Sequence, residues 1–282
     1  MESSNNPEIV STKWLNDNLT NLNLKIVQVS FANDDKQFQK EHIPGSVWWY
    51  WKSVLWHETD RIFPSPEDLA KRLGAFGIDS KTTVVLYGDP VQFGTYAFWV
   101  LRICGHQKVC ILNGGFKKWK TEGRPLAEEQ SECDEINNCT FDELSPFFVG
   151  RENVLQNLNT PNRLLLDVRS PEEYNGERVM PPPGFDHGAE RTGRIPGATH
   201  LFYGELINED GSFKESDELR NIIEPICGSS NDDKEVVIYC RLSHRATLVW
   251  FSMVFILGYS NVLVYDGSWT EWGSIVGFPI EK

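Results

Sequence analysis

The stretch "KEVVIYCR" (234–241) reads like an earlier one, "TTVVLYGD" (82–89). Each holds a short β-rich apolar run, "VVIY" or "VVLY", that breaks off at a cysteine or a glycine. More pairs surround these two. "KIVQVS" (25–30) matches "LLLDVR" (164–169), "HIPGSV" (42–47) matches "RIPGAT" (194–199), and "NGGFKKW" (113–119) matches "DGSWTEW" (266–272). The order is the same in both halves. Pro44 to Gly88 spans 44 residues, and so does Pro196 to Cys240. Shared order with an equal interval implies two copies of one domain, each about 120–130 residues, an ordinary domain size.

Strand-like runs alternate with longer helical ones in each copy. "KIVQV", "TVVLY" and "VCIL" precede "RLLLDV", "EVVIY" and "NVLVY". Runs apolar on every residue suit strands covered on both faces. "SPEDLAKRLGAFG" (65–77) opens with serine, proline and glutamate, a helix start, and "RATLVWFSMVFILG" (245–258) reads as a buried helix stopped by Gly258. The expected fold class is therefore α/β: two tandem domains, each a parallel sheet with helices on both faces.

The copies differ in two ways. Val29 to Pro44 is 15 residues and Val168 to Pro196 is 28, so the second copy carries 13 extra residues within "NGERVMPPPGFDHGAERTG" (175–193). Its three consecutive prolines predict an irregular loop. Gly88 also stands where the second copy has Cys240. Between the copies, "EEQSECDEINNCTFDE" (128–143) holds seven acidic residues and no basic one, which reads as a linker. The expected division is 1–127, an acidic linker at 128–143, and 144–282.

The chain has 282 residues, 40% hydrophobic and 24% charged, with a net charge of -13. No apolar run is long enough for a membrane helix, and "MESSNNPEIV" has neither the basic start nor the apolar stretch of a secretory signal. Acidity argues against a nucleic-acid partner. The six cysteines fit neither a zinc spacing nor a disulfide scaffold, so free thiols in a reducing cytoplasm are expected.

Within this acidic chain, "CRLSHR" (240–245) places two arginines and a histidine after one thiol, between a strand end and a helix start. Sites in open α/β sheets form beyond the carboxyl ends of strands, and a helix N-terminus offers free N–H groups. The loop is thus suited to holding negative charge, first on sulfur and then on a bound anion. Phosphatases and arsenate reductases that use a cysteine loop separate cysteine and arginine by five residues; here the separation is four, which is tight for a phosphoryl group and leaves room for one sulfur atom.

These motifs, with "DVRSPEEY" (167–174) and the final "YDGSWTEWGSIVGFPIE" (265–281), make the chain resemble the tandem-domain rhodaneses, the two-domain thiosulfate sulfurtransferases. The resemblance implies a silent first domain and a catalytic second one. It implies that Cys240 takes the outer sulfur of thiosulfate as a persulfide, releases sulfite and passes the sulfur to cyanide, a small thiol or a thioredoxin-like protein, with no metal or organic cofactor. Carried over residue by residue, it makes Cys240 catalytic. Arg241, Leu242, Ser243, His244, Arg245 and Arg191 would bind the donor, with Asp167 and Arg169 in support. The mercaptopyruvate branch typically has a neutral, glycine-rich loop, so the two arginines here favour thiosulfate over 3-mercaptopyruvate. A sulfur carrier or binding module without catalysis is the alternative from another class. Two departures stand out: Ser243 sits where a glycine is common, and Glu173 sits where some relatives carry a substrate arginine. Trp269 reads as core or as a wall of the pocket, and "WWYW" (48–51) as core or domain interface.

Overall fold

A computed structural model describes residues 8–128, 135–136, 140–141, 145–181 and 185–282. Most of the expected acidic linker, together with Cys133 and Cys139, lies outside the described residues. The chain divides into two compact units at Ser145/Pro146, with Glu209–Phe213 grouping with the first.

The first unit holds β1 (Ile9–Val10), β2 (Leu24–Ser30), β3 (Ser46–Tyr50), β4 (Thr83–Asp89) and β5 (Val109–Leu112), in the spatial order β1-β5-β4-β2-β3. The second holds β6 (Phe148–Val149), β7 (Arg163–Asp167), β8 (Thr199–His200), β9 (Glu235–Tyr239) and β10 (Val262–Tyr265), in the order β6-β10-β9-β7-β8. The second order is the first shifted by five, and every pairing is parallel. The repeat seen in the sequence is a repeat of topology. The apolar strand runs are apolar because the sheets are covered by helices: all four residues of β5 are buried. Each such aliphatic side chain contributes about 1.5–3 kcal/mol on burial.

The helix starts follow local chemistry. In the helix Pro66–Gly74 the Ser65 hydroxyl accepts the Asp68 N–H at 3.1 Å, and Glu67 and Asp68 occupy the positive end. The long apolar helix of the second unit starts at His244, earlier than its hydrophobic run suggests. It is α-helical only to Phe251 and widens to a π-turn over Ser252–Ile256. There the Ser252 hydroxyl bonds the Leu248 carbonyl at 3.0 Å, adding a second donor to the ladder. Trp49 and Trp51 are buried in the first unit, and Trp250, Trp269 and Trp272 in the second. Among the described residues no helix is long and apolar enough to cross a membrane.

Candidate active site

β9 lies between β10 and β7, and the chain reverses its direction of travel across the sheet there. The carboxyl end of such a strand opens onto a crevice, and Cys240 is the first residue beyond it. Gly88 pairs with Val29 in the first sheet. In the second, Tyr239 pairs with Asp167 and its carbonyl accepts the Val168 N–H at 3.1 Å, which sets Cys240 at the corresponding place.

The loop hangs from the turn that follows β10. The Cys240 N–H donates to the Ser268 hydroxyl at 3.2 Å, and the Ser268 hydroxyl donates to the Tyr265 carbonyl at 2.9 Å. The amides of Trp269 and Thr270 donate to the carbonyls of Cys240 and Arg241 at 2.9 and 3.0 Å. Ser243 adopts φ +68°, a left-handed conformation that accounts for glycine's use at this position elsewhere. Its hydroxyl offsets the strain by donating to the Asp266 carboxylate at 2.6 Å.

Holding the carbonyls this way leaves amides over. Among the described residues the N–H groups of Arg241, Leu242, Ser243, Arg245 and Ala246 meet no protein acceptor. The His244 amide is the exception to the expected run of donors, because it is turned onto the Leu242 carbonyl at 2.9 Å. Cys240 is 1% exposed, so a reaction partner must enter the loop to reach it. Burial pushes the thiols of Cys104, Cys110 and Cys227 up to about 12, which leaves them inert as nucleophiles near neutral pH.

The two loop arginines are not equivalent. Arg245 Nη1 and Nη2 donate to Glu173 Oε2 and Oε1 at 2.6 and 2.9 Å, and the Glu173 side chain is fully buried. Burial works against the Arg245 charge, but the bonds and charge of Glu173 prevail and hold the guanidinium above its usual range. Glu173 replaces a substrate-type arginine with a counterion. It also caps its own short helix, Pro171–Tyr174, by accepting the Ser170 N–H at 3.0 Å. Arg241 has a weaker polar partner: its Nη1 donates to the His187 carbonyl at 3.3 Å.

The resemblance places Arg191 at the donor; in the structure its guanidinium donates to the carbonyls of Trp272, Gly273, Ile275 and Phe278 at 2.6–3.1 Å, fastening the C-terminal turn. Four of the five N–H donors of this guanidinium are taken up by backbone carbonyls. Asp167 and Arg169 form a fully buried pair closed at 2.6 Å, with Arg169 also bonding the Gly193 carbonyl at 2.8 Å. They touch the loop only indirectly. The Arg169 guanidinium stacks 4.6 Å from the Trp269 ring, whose amide holds Cys240. Trp269 is fully buried in the core of the second unit.

Tyr203 carried no signal in the sequence. The Arg245 guanidinium lies 5.7 Å from its ring. Burial raises its phenol above the ordinary value, Arg245 opposes this, and the charge of Cys240 adds to it. It opens a 3₁₀ turn, Tyr203–Leu206, four residues beyond the "RIPGAT" motif and 37 before Cys240, so only the folded chain brings it to the loop.

Comparison with known proteins identifies the family and the fold. The Rhodanese-like domain family matches residues 11–122 and 151–275. The chain is 38% identical over 281 residues to "Sulfur carrier protein TtuD" of Thermus thermophilus, covering 98% of this chain and 97% of that protein. It is 35% identical over 280 residues to a "Putative thiosulfate sulfurtransferase" of Haloferax volcanii, covering 97% and 96%. Among solved structures, the anaerobic ergothioneine biosynthesis enzyme of Chlorobium limicola shares the fold with a TM-score of 0.85 at 24% identity, over 98% of this chain and 70% of that one. With the fold repeated in both halves and the family matched in both, the chain belongs to the rhodanese-like family as two domains in tandem.

Proposed function

We propose that this protein is a thiosulfate sulfurtransferase working through Cys240. The Cys240 thiolate attacks the outer sulfur of thiosulfate. The sulfur–sulfur bond of the donor breaks, and sulfite leaves with the electron pair. The product is a Cys240 persulfide carrying one negative charge, and total charge is unchanged. A nucleophile such as cyanide or a thiolate then takes the outer sulfur and returns the Cys240 thiolate, completing a double displacement. The unpartnered loop amides support this reading most directly, since they suit the charge on the persulfide sulfur. The cationic Arg241 favours an anionic donor over a neutral one.

The first domain is silent in this scheme. A Cβ at Gly88 would lie 2.3 Å from the Gly94 nitrogen and 2.7 Å from the Pro90 carbonyl oxygen. The first copy lacks the room for a thiol as well as the thiol itself. A second reading, delivery of the persulfide sulfur to a partner protein, draws support from the relative named as a sulfur carrier. Both readings begin with a loaded Cys240. Incubation with thiosulfate should release sulfite and add the mass of one sulfur atom, and Cys240→Ser should do neither. Undiminished sulfite release by Cys240→Ser would disprove the assignment. Turnover with cyanide or small thiols separates the enzyme from a dedicated carrier, which would load but not turn over.

A further inference from the structure

The 13 extra residues of the second copy have a place in this site. We propose that the insertion is a donor-selecting element, in which His187 and Gly188 hold Arg241 as the side chain that reads the negative end of the donor. This rests on the thiosulfate reading above and names the part of the chain that sets the preference.

The insertion is fastened at both ends. At its entrance the Asp186 carboxylate accepts the N–H groups of Val179 and Met180, each at 3.0 Å. At its exit Arg191 bonds four carbonyls of residues 272–278, and the Arg191 carbonyl accepts the Trp269 indole N–H at 2.9 Å. Between these two fastenings, the His187 carbonyl takes Arg241 Nη1 at 3.3 Å. Gly188 sits beside the same atom: a Cβ there would lie 2.6 Å from Arg241 Nη1. Gly188 also has φ +112°, where a side chain is strained whatever the space. Glycine is needed at this position both for the turn and for the close approach of the guanidinium.

The effect is to order one arginine in advance. A free arginine must give up rotamer freedom when it binds an anion, and a carbonyl that already holds it removes part of that cost. The held nitrogen is Nη1, and neither Nε nor Nη2 of Arg241 has a protein acceptor among the described residues. Arg245 cannot serve in the same way, because both its terminal nitrogens are on Glu173. The first copy, with Gly88 in place of the loop cysteine and without the insertion, has nothing for such an element to serve.

The test is a double-mutant cycle on the full chain, read as thiosulfate KM and kcat by sulfite release, with melting temperature as the check on folding. Arg241→Ala should raise the thiosulfate KM by about tenfold or more, the value of a charge-assisted contact. Gly188→Ala should raise it by roughly three- to tenfold with kcat nearly unchanged, a fraction of the contact it misplaces. In the Arg241→Ala background Gly188→Ala should add nothing, since it acts through Arg241. Asp186→Ala, which loosens the entrance without adding bulk, should show the same dependence on Arg241 and serves if Gly188→Ala melts early. An unchanged KM in both insertion variants, or losses that multiply with that of Arg241→Ala, overturns the inference and leaves the sulfurtransferase reading intact. Absence of sulfite release by the unmodified protein overturns that reading, and this inference with it.

Discussion

Replacing Glu173 by glutamine removes one charge from the Glu173–Arg245 pair while keeping an oxygen for the Ser170 N–H. The pair is closed at 2.6 Å, with the carboxylate side chain at 0% exposure and the guanidinium at 10%. Solvent therefore does little to rescue the orphaned cation. Breaking a buried pair by removing one partner costs about 3–5 kcal/mol, because the remaining charge stays desolvated. At roughly 4 °C per kcal/mol for a domain of this size, Glu173→Gln should melt roughly 12–20 °C below the unmodified protein. Glu173→Gln/Arg245→Met removes the stranded charge and should recover most of that loss, since a neutral pair of similar volume is often tolerated. The freed charge in Glu173→Gln lies beside Cys240, so the thiosulfate KM of the surviving folded protein should fall rather than rise. Differential scanning fluorimetry on the three proteins, with sulfite release on the folded ones, gives both numbers. A single variant that melts like the unmodified protein would refute the reasoning. So would a double variant that melts lower still.

Other expectations follow from particular residues. Gly88→Cys should not give the first domain activity and should destabilise it, because the new Cβ meets the Gly94 nitrogen at 2.3 Å; persulfide mapping on Gly88→Cys/Cys240→Ser checks this. Ser243→Ala keeps the strained φ of +68° and loses the bonds to Asp266, so it should cost about 1–3 kcal/mol in urea unfolding, with Ser243→Gly costing less. Burial of His106 pushes its imidazole down from 6.5 to about 4, with Asp79 opposing the shift. A base with a lowered folded pKa is neutral in both states above pH 6.5 and adds no pH dependence there. Below that the unfolded chain takes up a proton that the folded one refuses. Stability should therefore fall by about 3 kcal/mol as pH drops from about 6.5 to about 4, and His106→Leu should flatten that part of the curve; the same slope in His106→Leu would place its origin elsewhere.

The sequence by itself determined the repeat, the strands and the cysteine. β5 and β9 have the predicted boundaries, Val109–Leu112 and Glu235–Tyr239, because a buried parallel strand is a local apolar run and its ends are marked by the residues that stop it. The place of Cys240 followed from the strand before it and the helix after it, both local. The roles of the arginines were not legible. "CRLSHR" shows two cations, but Arg245 is neutralised by Glu173, 72 positions away, and Arg191 is spent on carbonyls more than 80 positions away. Ser243 could be read as a departure from glycine, but the Asp266 carboxylate that makes it workable lies 23 positions on. Tyr203 lies just past the "RIPGAT" motif, but nothing in that motif says that the ring reaches Arg245. A guanidinium's function depends on which acceptor it meets, and acceptors are brought to it by the tertiary fold, so only the folded chain decided which of these charges remain for a substrate.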